Sequence, residues 1–463
     1  MKSAKIGFMP LYIKLYDDCG LQDIRDRLEP FYEKMACGFE EHGITVVRSA
    51  FCCVKAEFEA AVAKFESEGV DCIVTWHAAY SPSLESIEVL ANTKLPIIVM
   101  DTTDTYDFGP AQSPAHVNMC HGIHGVMDMT SMLKRYGKSY AVAAGHYPVS
   151  DVMERVIGYI HAAVAATSLK GSRVGTIGGS FDGMGDFLVS DEEMLERFGV
   201  TVVYAEKKLV DIKKKVTDDE VRAEMALDLE ECDVIGPLPE DSHFRTEKNC
   251  LAVRRWIDEE KLDAFTVNFR QIIPADGLEI MPFMEASKAM ARGTGYAGEG
   301  DVLTASITGA LMRGFGDAAF VEIFCPDWRG GALMLSHMGE YNRALAAGRP
   351  EIKEIPFTFG DAADPVVTYG RLRGGEAVFV NIFKDETGFK LLASPVTMLD
   401  TAEDSFTGVV RAWMKPHMPV SDFLEEISRA GVTHHSSLVY GATTEQIAYF
   451  GRLLGMETVT VGK

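Results

Sequence analysis

The chain has 463 residues, enough for about three domains. A hydrophobic content of 47% with 42 glycines suits a packed α/β protein. The net charge of -23 excludes a nucleic-acid partner, whose phosphates need a Lys/Arg excess, and argues against an anionic membrane surface. No stretch approaches the ~20 apolar residues of a membrane span. The first apolar run, Ile6-Gly7-Phe8-Met9, has strand length and is not the core of a signal peptide. The nine cysteines contain no CxxC pair, the pattern of reduced thiols, so a cytoplasmic protein is expected.

Apolar runs at 6–9, 45–47, 72–75, 97–101 and 140–144 predict strands, and amphipathic stretches at 23–41, 57–68, 83–91 and 149–166 predict helices between them. In 57–68, Phe58, Ala61, Val62 and Phe65 fall at i, i+3, i+4 and i+7 and make one apolar face. Helical crossovers between strands require a parallel sheet covered on both sides. Ligands of such sheets sit beyond the carboxyl ends of the strands. That singles out Trp76-His77, Asp101-Thr102-Thr103 and Gly145-His146.

A second unit of this kind is predicted from Lys170-Gly171-Ser172 onward, with strands at 173–178, 200–204, 234–236 and 264–269. It holds a glycine-rich loop at 179–186, with Asp182 and Met184 as pocket candidates, and a charged helical region at 210–232. From Ala318 the pattern changes. Runs at 366–369, 376–381, 389–393 and 408–413 read as strands, with Arg373-Gly374-Gly375 as a hairpin turn. A strand at 437–440 and a helix opened by a Thr443/Gln446 capping box close the chain. The expected fold is α/β: two doubly wound parallel-sheet domains (1–168 and 169–312) followed by a mostly antiparallel, barrel-like β domain (313–463).

Four places hold residues that could meet. In Gly298-Glu299-Gly300-Asp301, no Lys-Ser/Thr follows a GxxxxG spacing, so this is not a phosphate loop. Either Asp301 simply caps the following helix, or the glycines let a ligand approach while Glu299 projects at it. In Phe320-Val321-Glu322-Ile323-Phe324, alternation puts Phe320, Glu322 and Phe324 on one face. A carboxylate buried there is costly unless it is paired, protonated or metal-bound. His337 follows another strand-like run. His434 and His435 are adjacent, and along a strand their side chains would point apart. Two carboxylates with one or two imidazoles form a mixed O/N set that suits Mn²⁺ or a similar divalent ion better than Ca²⁺ or structural zinc.

These segments resemble the L-arabinose isomerase family, grouped in fold with L-fucose isomerase: Tyr296-Ala-Gly-Glu299-Gly-Asp301-Val-Leu-Thr304-Ala305, Phe320-Val-Glu322, Ser336-His337-Met338 and His434-His435, in this order. Cys120-His121-Gly122 and Gly145-His146 are similar, more weakly, to N-terminal positions of the family. The resemblance implies a metal held by Glu299, Glu322, His337 and His435, with Mn²⁺ first and Mg²⁺ or Co²⁺ possible. It implies that Glu299 and Glu322 are also the acid/base pair of an aldose–ketose isomerisation through a cis-enediol. It places His434 in the sugar pocket; His121, Met184 and His77 are further candidate substrate contacts from their places after predicted strands. It implies a homo-oligomer, trimer or hexamer, in which His121 could serve a neighbouring subunit.

The chain departs from the family where the far end of the sugar would be held. Met9-Pro10-Leu11-Tyr12 replaces a Gln followed by Leu-Tyr-Gly, and Gly185-Asp186 replaces an Arg-Glu pair. The substrate is therefore left as a pentose, hexose or deoxy-sugar. Two other readings use the same residues: a metal-dependent epimerase or lyase, and a non-catalytic sugar-binding protein.

Overall fold

The computed structural model describes residues 3–401 and 404–462. They fall into two compact units that meet in sequence between Thr167 and Ser168. No described helix is long and apolar enough to cross a membrane.

In the N-terminal unit, β1 (Lys5–Leu11), β2 (Thr45–Arg48), β3 (Cys72–His77), β4 (Ile97–Asp101) and β5 (Tyr140–Ala144) form a parallel sheet in the order β2-β1-β3-β4-β5. Helix Lys55–Ser67 buries Phe58, Ala61, Val62 and Phe65, the face its periodicity predicts. Each such Val or Phe contributes about 1.5–3 kcal/mol on full burial. The helix lies close because of Gly7, where a Cβ would come within 2.5 Å of the Phe65 ring.

The second unit opens with β6 (Arg173–Ile177), β7 (Thr201–Tyr204), β8 (Asp233–Val234), β9 (Ala264–Val267) and β10 (Gly295–Gly298). Four of these make a parallel sheet in the order β10-β9-β6-β7. The chain turns away from β6 in both directions, so the loops after β6, β9 and β10 open at a topological switch point. The predicted helical region 210–232 is two helices, Lys208–Lys214 and Asp218–Glu231, divided where Thr217 and Glu220 form a capping box.

Then come β11 (Ala318–Asp327), β12 (Ala332–Ser336), β13 (Glu351–Glu354), β14 (Val366–Tyr369), β15 (Gly375–Asp385), β16 (Gly388–Met398), β17 (Ala412–Pro416), β18 (His435–Tyr440) and β19 (Glu457–Thr460). Six of them close an antiparallel barrel, β15-β18-β11-β12-β17-β16 and back to β15, and β19 adds parallel to β16. Three details differ from expectation. β8 pairs with β13, and β14 pairs with β13, so the predicted strands at 234–236 and 366–369 belong to a separate small sheet. The hairpin turn between β15 and β16 lies at Glu386-Thr387, where Asp385 Oδ1 accepts from the Thr387 N–H at 2.8 Å and hydroxyl at 2.6 Å; it is not at Arg373-Gly374-Gly375. The strand predicted at 408–413 is β17, shifted to 412–416.

Helix Val302–Phe315 is buried along nearly its whole length, as expected of a helix apolar all round. On one side it approaches β10 so closely that a Cβ on Gly295 would lie 2.4 Å from the Gly309 nitrogen. On the other, Thr308 Oγ1 lies 2.7 Å from Ser437 Oγ on β18. Its N-terminus emerges between the sheet and the barrel, at Asp301.

Candidate metal centre

The turn after β10 is held by one hydroxyl. Thr266 Oγ1 donates to the Gly298 carbonyl at 3.1 Å and accepts from the Gly300 N–H at 3.0 Å. Between them Glu299 adopts φ +65°, one of three described non-glycine residues with positive φ. An L-residue held there costs roughly 1–2 kcal/mol, strain of the kind that clusters at functional sites. The flanking glycines are required by close neighbours. A Cβ on Gly298 would lie 2.7 Å from His337 Cε1, and one on Gly300 would lie 2.1 Å from the Gly179 carbonyl.

Barrel register brings the other groups to this turn. Glu322 on β11 pairs with His435 at the start of β18 and with Ser336 at the end of β12, so His337 follows directly. The predicted alternation fails just beyond it. A bulge between Ile323 and Cys325 breaks the ladder, and Phe324 is exposed while Phe320 stays buried. Phe320 packs edge-on against both His337 and His435, with ring centroids 5.0 Å away in each case. His434 and His435 do not point apart as strand alternation predicts. β18 begins only at His435, and both imidazoles face Glu299, at 3.3 and 3.6 Å from Oε2.

Each imidazole is backed by a carboxylate. His337 Nδ1 lies 2.9 Å from Glu340 Oε2, which also accepts from the Gly339 N–H at 2.8 Å, while Tyr296 donates to Glu340 Oε1 at 2.8 Å. His435 Nδ1 lies 3.0 Å from Asp301 Oδ2. His434 Nδ1 lies 2.7 Å from Asp186 Oδ2. A carboxylate on Nδ1 leaves Nε2 to face the centre, the arrangement that orients and strengthens metal-ligating histidines. His435 Nε2 is buried and has no hydrogen-bond partner. His337 Nε2 lies 3.7 Å from Glu322 Oε2. Donors sharing one divalent ion at about 2.0–2.6 Å lie about 3–4 Å apart, and two groups that share His435 could each hold one: Glu299, His434 and His435, and Glu322, His337 and His435, the ligand atoms of each lying within 4.8 Å of one another.

The two glutamates sit in different fields. Burial pushes the Glu299 carboxyl up, but the His434 hydrogen bond and the neighbouring imidazoles outweigh it and hold it below the usual range. Burial dominates at Glu322 and raises it, against the pull of the histidines. For His434, burial alone would lower the pKa, and the carboxylates of Glu299 and Asp186 push it up to about 9. Burial likewise opposes charge on His337, and Glu340 overcomes it, raising the ring.

The loop after β6 covers the centre. The Phe181 N–H donates to the Glu299 carbonyl at 3.0 Å, and Phe187 stacks on His435 with centroids 5.3 Å apart and planes 9° apart. Met184 is half-buried in this loop and Asp182 is exposed. His77 and His121 belong to the N-terminal unit. His77 is fully buried at the end of β3 with neither ring nitrogen partnered, and burial lowers it to about 3. His121 lies 2.6 Å from the Tyr16 hydroxyl.

A third group of such residues, Asp228, His243 and Glu247, already holds a cation. Lys288 Nζ lies 2.6 Å from Asp228, 2.8 Å from Glu224 and 3.2 Å from Glu247. The adjoining 470 Å³ cavity is lined by Lys288, Arg254, Arg292 and Arg343, each of which is paired with a carboxylate.

Two family models match: one described as the L-arabinose isomerase central domain, over residues 182–314, and one described as its C-terminal domain, over residues 317–457. The chain belongs to the L-arabinose isomerase family. It is thus an aldose–ketose isomerase, and Glu299, Glu322, His337, His434 and His435 fall within the matched segments. Among curated relatives, L-arabinose isomerase 2 of Bacillus licheniformis is 26% identical over 415 residues, covering 84% of each chain. The L-arabinose isomerase of Geobacillus kaustophilus is 27% identical over 418 residues, covering 86% of this chain and 82% of its own. A periplasmic solute binding protein from Actinobacillus succinogenes, solved with D-allose, covers 67% of this chain and 91% of its own at 12% identity. Its TM-score of 0.18 is too low to bear on function.

Sequence reading missed Glu340 and the orienting role of Asp301 toward His435. Glu340 stands three residues after His337, a spacing that could have flagged it. In the sequence Asp186 stands out only as a departure from the family.

Proposed function

We propose that this isomerase works with a divalent ion held by Glu299, Glu322, His337 and His435, Mn²⁺ before Mg²⁺ or Co²⁺. The carrying observation is the buried, partnerless Nε2 of His435, 3.6 Å from Glu299 Oε2, on a ring that also groups within 4.8 Å with ligand atoms of Glu322 and His337. Bound there, the ion supplies Lewis-acid polarisation of the sugar carbonyl. In the direction aldose to ketose, one glutamate removes the proton from C2, and the released pair forms the C1=C2 bond of a cis-enediol as O1 gains a proton. Return of a proton to C1 and loss of the O2 proton complete the ketose. The lowered carboxyl of Glu299 supports it as the base, and the raised carboxyl of Glu322 supports it as the hydroxyl proton carrier. Phe187 and Phe320 shield the reacting atoms from water.

The substrate in this reading is a pentose, hexose or deoxy-sugar, with L-arabinose the first to try given the relatives' names. His434 and Met184 line the sugar side of the centre, and His77 and His121 are candidate sugar contacts of the N-terminal unit. A homo-oligomer, trimer or hexamer, follows from the family resemblance. Nine free cysteines support a reducing, cytoplasmic setting. The test is a panel of aldoses incubated with Mn²⁺ and assayed for ketose. Metal-dependent ketose formation from one of them supports the reading, and its absence across the panel with no Mn²⁺ binding overturns it.

A further inference from the structure

Of the three carboxylate-backed imidazoles, two are backed by buried acids, Asp301 and Glu340. The third differs. Asp186 sits on the loop after β6, its side chain 38% exposed, and that of His434 is 34% exposed. One oxygen, Oδ2, takes both the His434 backbone N–H at 2.9 Å and the ring Nδ1 at 2.7 Å. That double contact fixes both where His434 sits and which way its ring faces. Nε2 then points at Glu299 Oε2, 3.3 Å away. The next residue, Phe187, lies over His435 and tilts against His434. The loop is itself tied to the turn it serves, through the Phe181 N–H on the Glu299 carbonyl.

We propose that Asp186 is a positioning residue of the isomerase site: it fixes the His434 ring with Nε2 presented to Glu299 and to a sugar hydroxyl beside it. The inference rests on the isomerase reading above. The exposed edge of the centre is where a sugar enters, and His434 is the imidazole found there. A ring held by a single carboxylate at both backbone and Nδ1 is fixed with Nε2 beside Glu299, and unlike the buried rings of His337 and His435 it has an exposed edge open to a sugar. The competing role, His434 as a metal ligand, makes a different prediction for metal affinity.

The experiment compares wild type with Asp186→Ala, Asp186→Asn and Asp186→Glu. Mn²⁺ binding is measured by calorimetry, binding of L-arabitol and ribitol to the Mn²⁺ form by the same method, and kcat and KM on the aldose the wild type turns over. Asp186→Ala is expected to keep Mn²⁺ affinity within about twofold while pentitol affinity and kcat/KM fall by about tenfold to a hundredfold. Asp186→Glu, which keeps the acceptor, is expected to recover most of that loss, and Asp186→Asn is expected to lie between them. Mn²⁺ affinity falling in step with activity would overturn the proposal and make His434 a ligand. Unchanged pentitol affinity and kcat/KM in Asp186→Ala would also overturn it, as would a wild type that binds neither pentitol. Failure of the isomerase reading shows separately, as a wild type that binds a pentitol and Mn²⁺ yet converts no aldose; pentitol affinity then decides the role of Asp186.

Discussion

Asp301 and His435 are joined 3.0 Å apart, Oδ2 to Nδ1, by the same carboxylate whose Oδ1 accepts the Thr304 N–H at 2.8 Å. One buried side chain thus starts the helix Val302–Phe315 and orients an imidazole at the candidate metal centre. The cap reading of this loop is realised at Asp301, and beside it Glu299 turns its carboxylate to His434 and His435.

The two tasks separate by substitution. Asparagine caps helices about as well as aspartate, within a few tenths of a kcal/mol, but brings no charge to His435. Asp301→Asn is therefore expected to keep most of the stability and lose about 10–100-fold in Mn²⁺ affinity. Asp301→Ala is expected to lose the same affinity and a further ~1 kcal/mol of stability. Denaturant melts and Mn²⁺ titration check both. Wild-type Mn²⁺ affinity in either variant would contradict the link to His435.

Glu299 is held at φ +65°, so its removal has a backbone signature. Glycine relieves the strain, and alanine keeps it. Metal-free Glu299→Gly is expected to be at least as stable as Glu299→Ala, by about 1 kcal/mol, although glycine is the more flexible residue when unfolded. Both are expected to be inactive. A glycine variant clearly less stable than the alanine one, in denaturant melts, would show that the turn carries no strain.

The Lys288 cluster predicts a pH effect away from the centre. Burial holds Glu247 well above its ordinary range; Lys288 opposes this, and Asp228 and Glu224 add to it. The folded protein thus keeps a proton that the unfolded chain releases above about pH 4.3. This contribution to stability is complete below that pH and is lost as pH rises toward the folded value. Asp228 is held low, against its burial, by His243 and Lys288, so its own effect appears only as pH falls below about 4. Glu247→Gln is therefore expected to gain stability relative to wild type from pH 5 to pH 8. A difference that stays flat or shrinks across that range, in melts at each pH, would contradict the assignment.

The parts of this molecule that sequence reveals are those encoded locally. The i, i+3, i+4, i+7 face of 57–68 and the Thr443/Gln446 box are complete within a dozen residues, and both form. The glycines around Glu299 and the order of the Glu, Glu, His and His-His segments were also readable. Long-range pairing was not. The pairing of β18 with β11 and β15, the side strand β8, and the contact of Asp186 with His434 depend on register between distant segments. The exposure of Phe324 depends on a bulge that alternation conceals. Strand alternation would make His434 and His435 diverge, but the strand begins only at His435, so alternation does not govern the pair.

The central claim is that Glu299 and Glu322 share a metal centre that moves the proton on C2 of an aldose. The most direct measurement is exchange of that proton for deuterium, in D₂O with Mn²⁺, for wild type and Glu322→Gln. Wild type is expected to wash deuterium into the sugar as ketose forms and to stop when the metal is chelated, with Glu322→Gln slower by roughly a thousandfold or more. Near-wild-type exchange in Glu322→Gln, or wild-type exchange that survives chelation, would contradict the account.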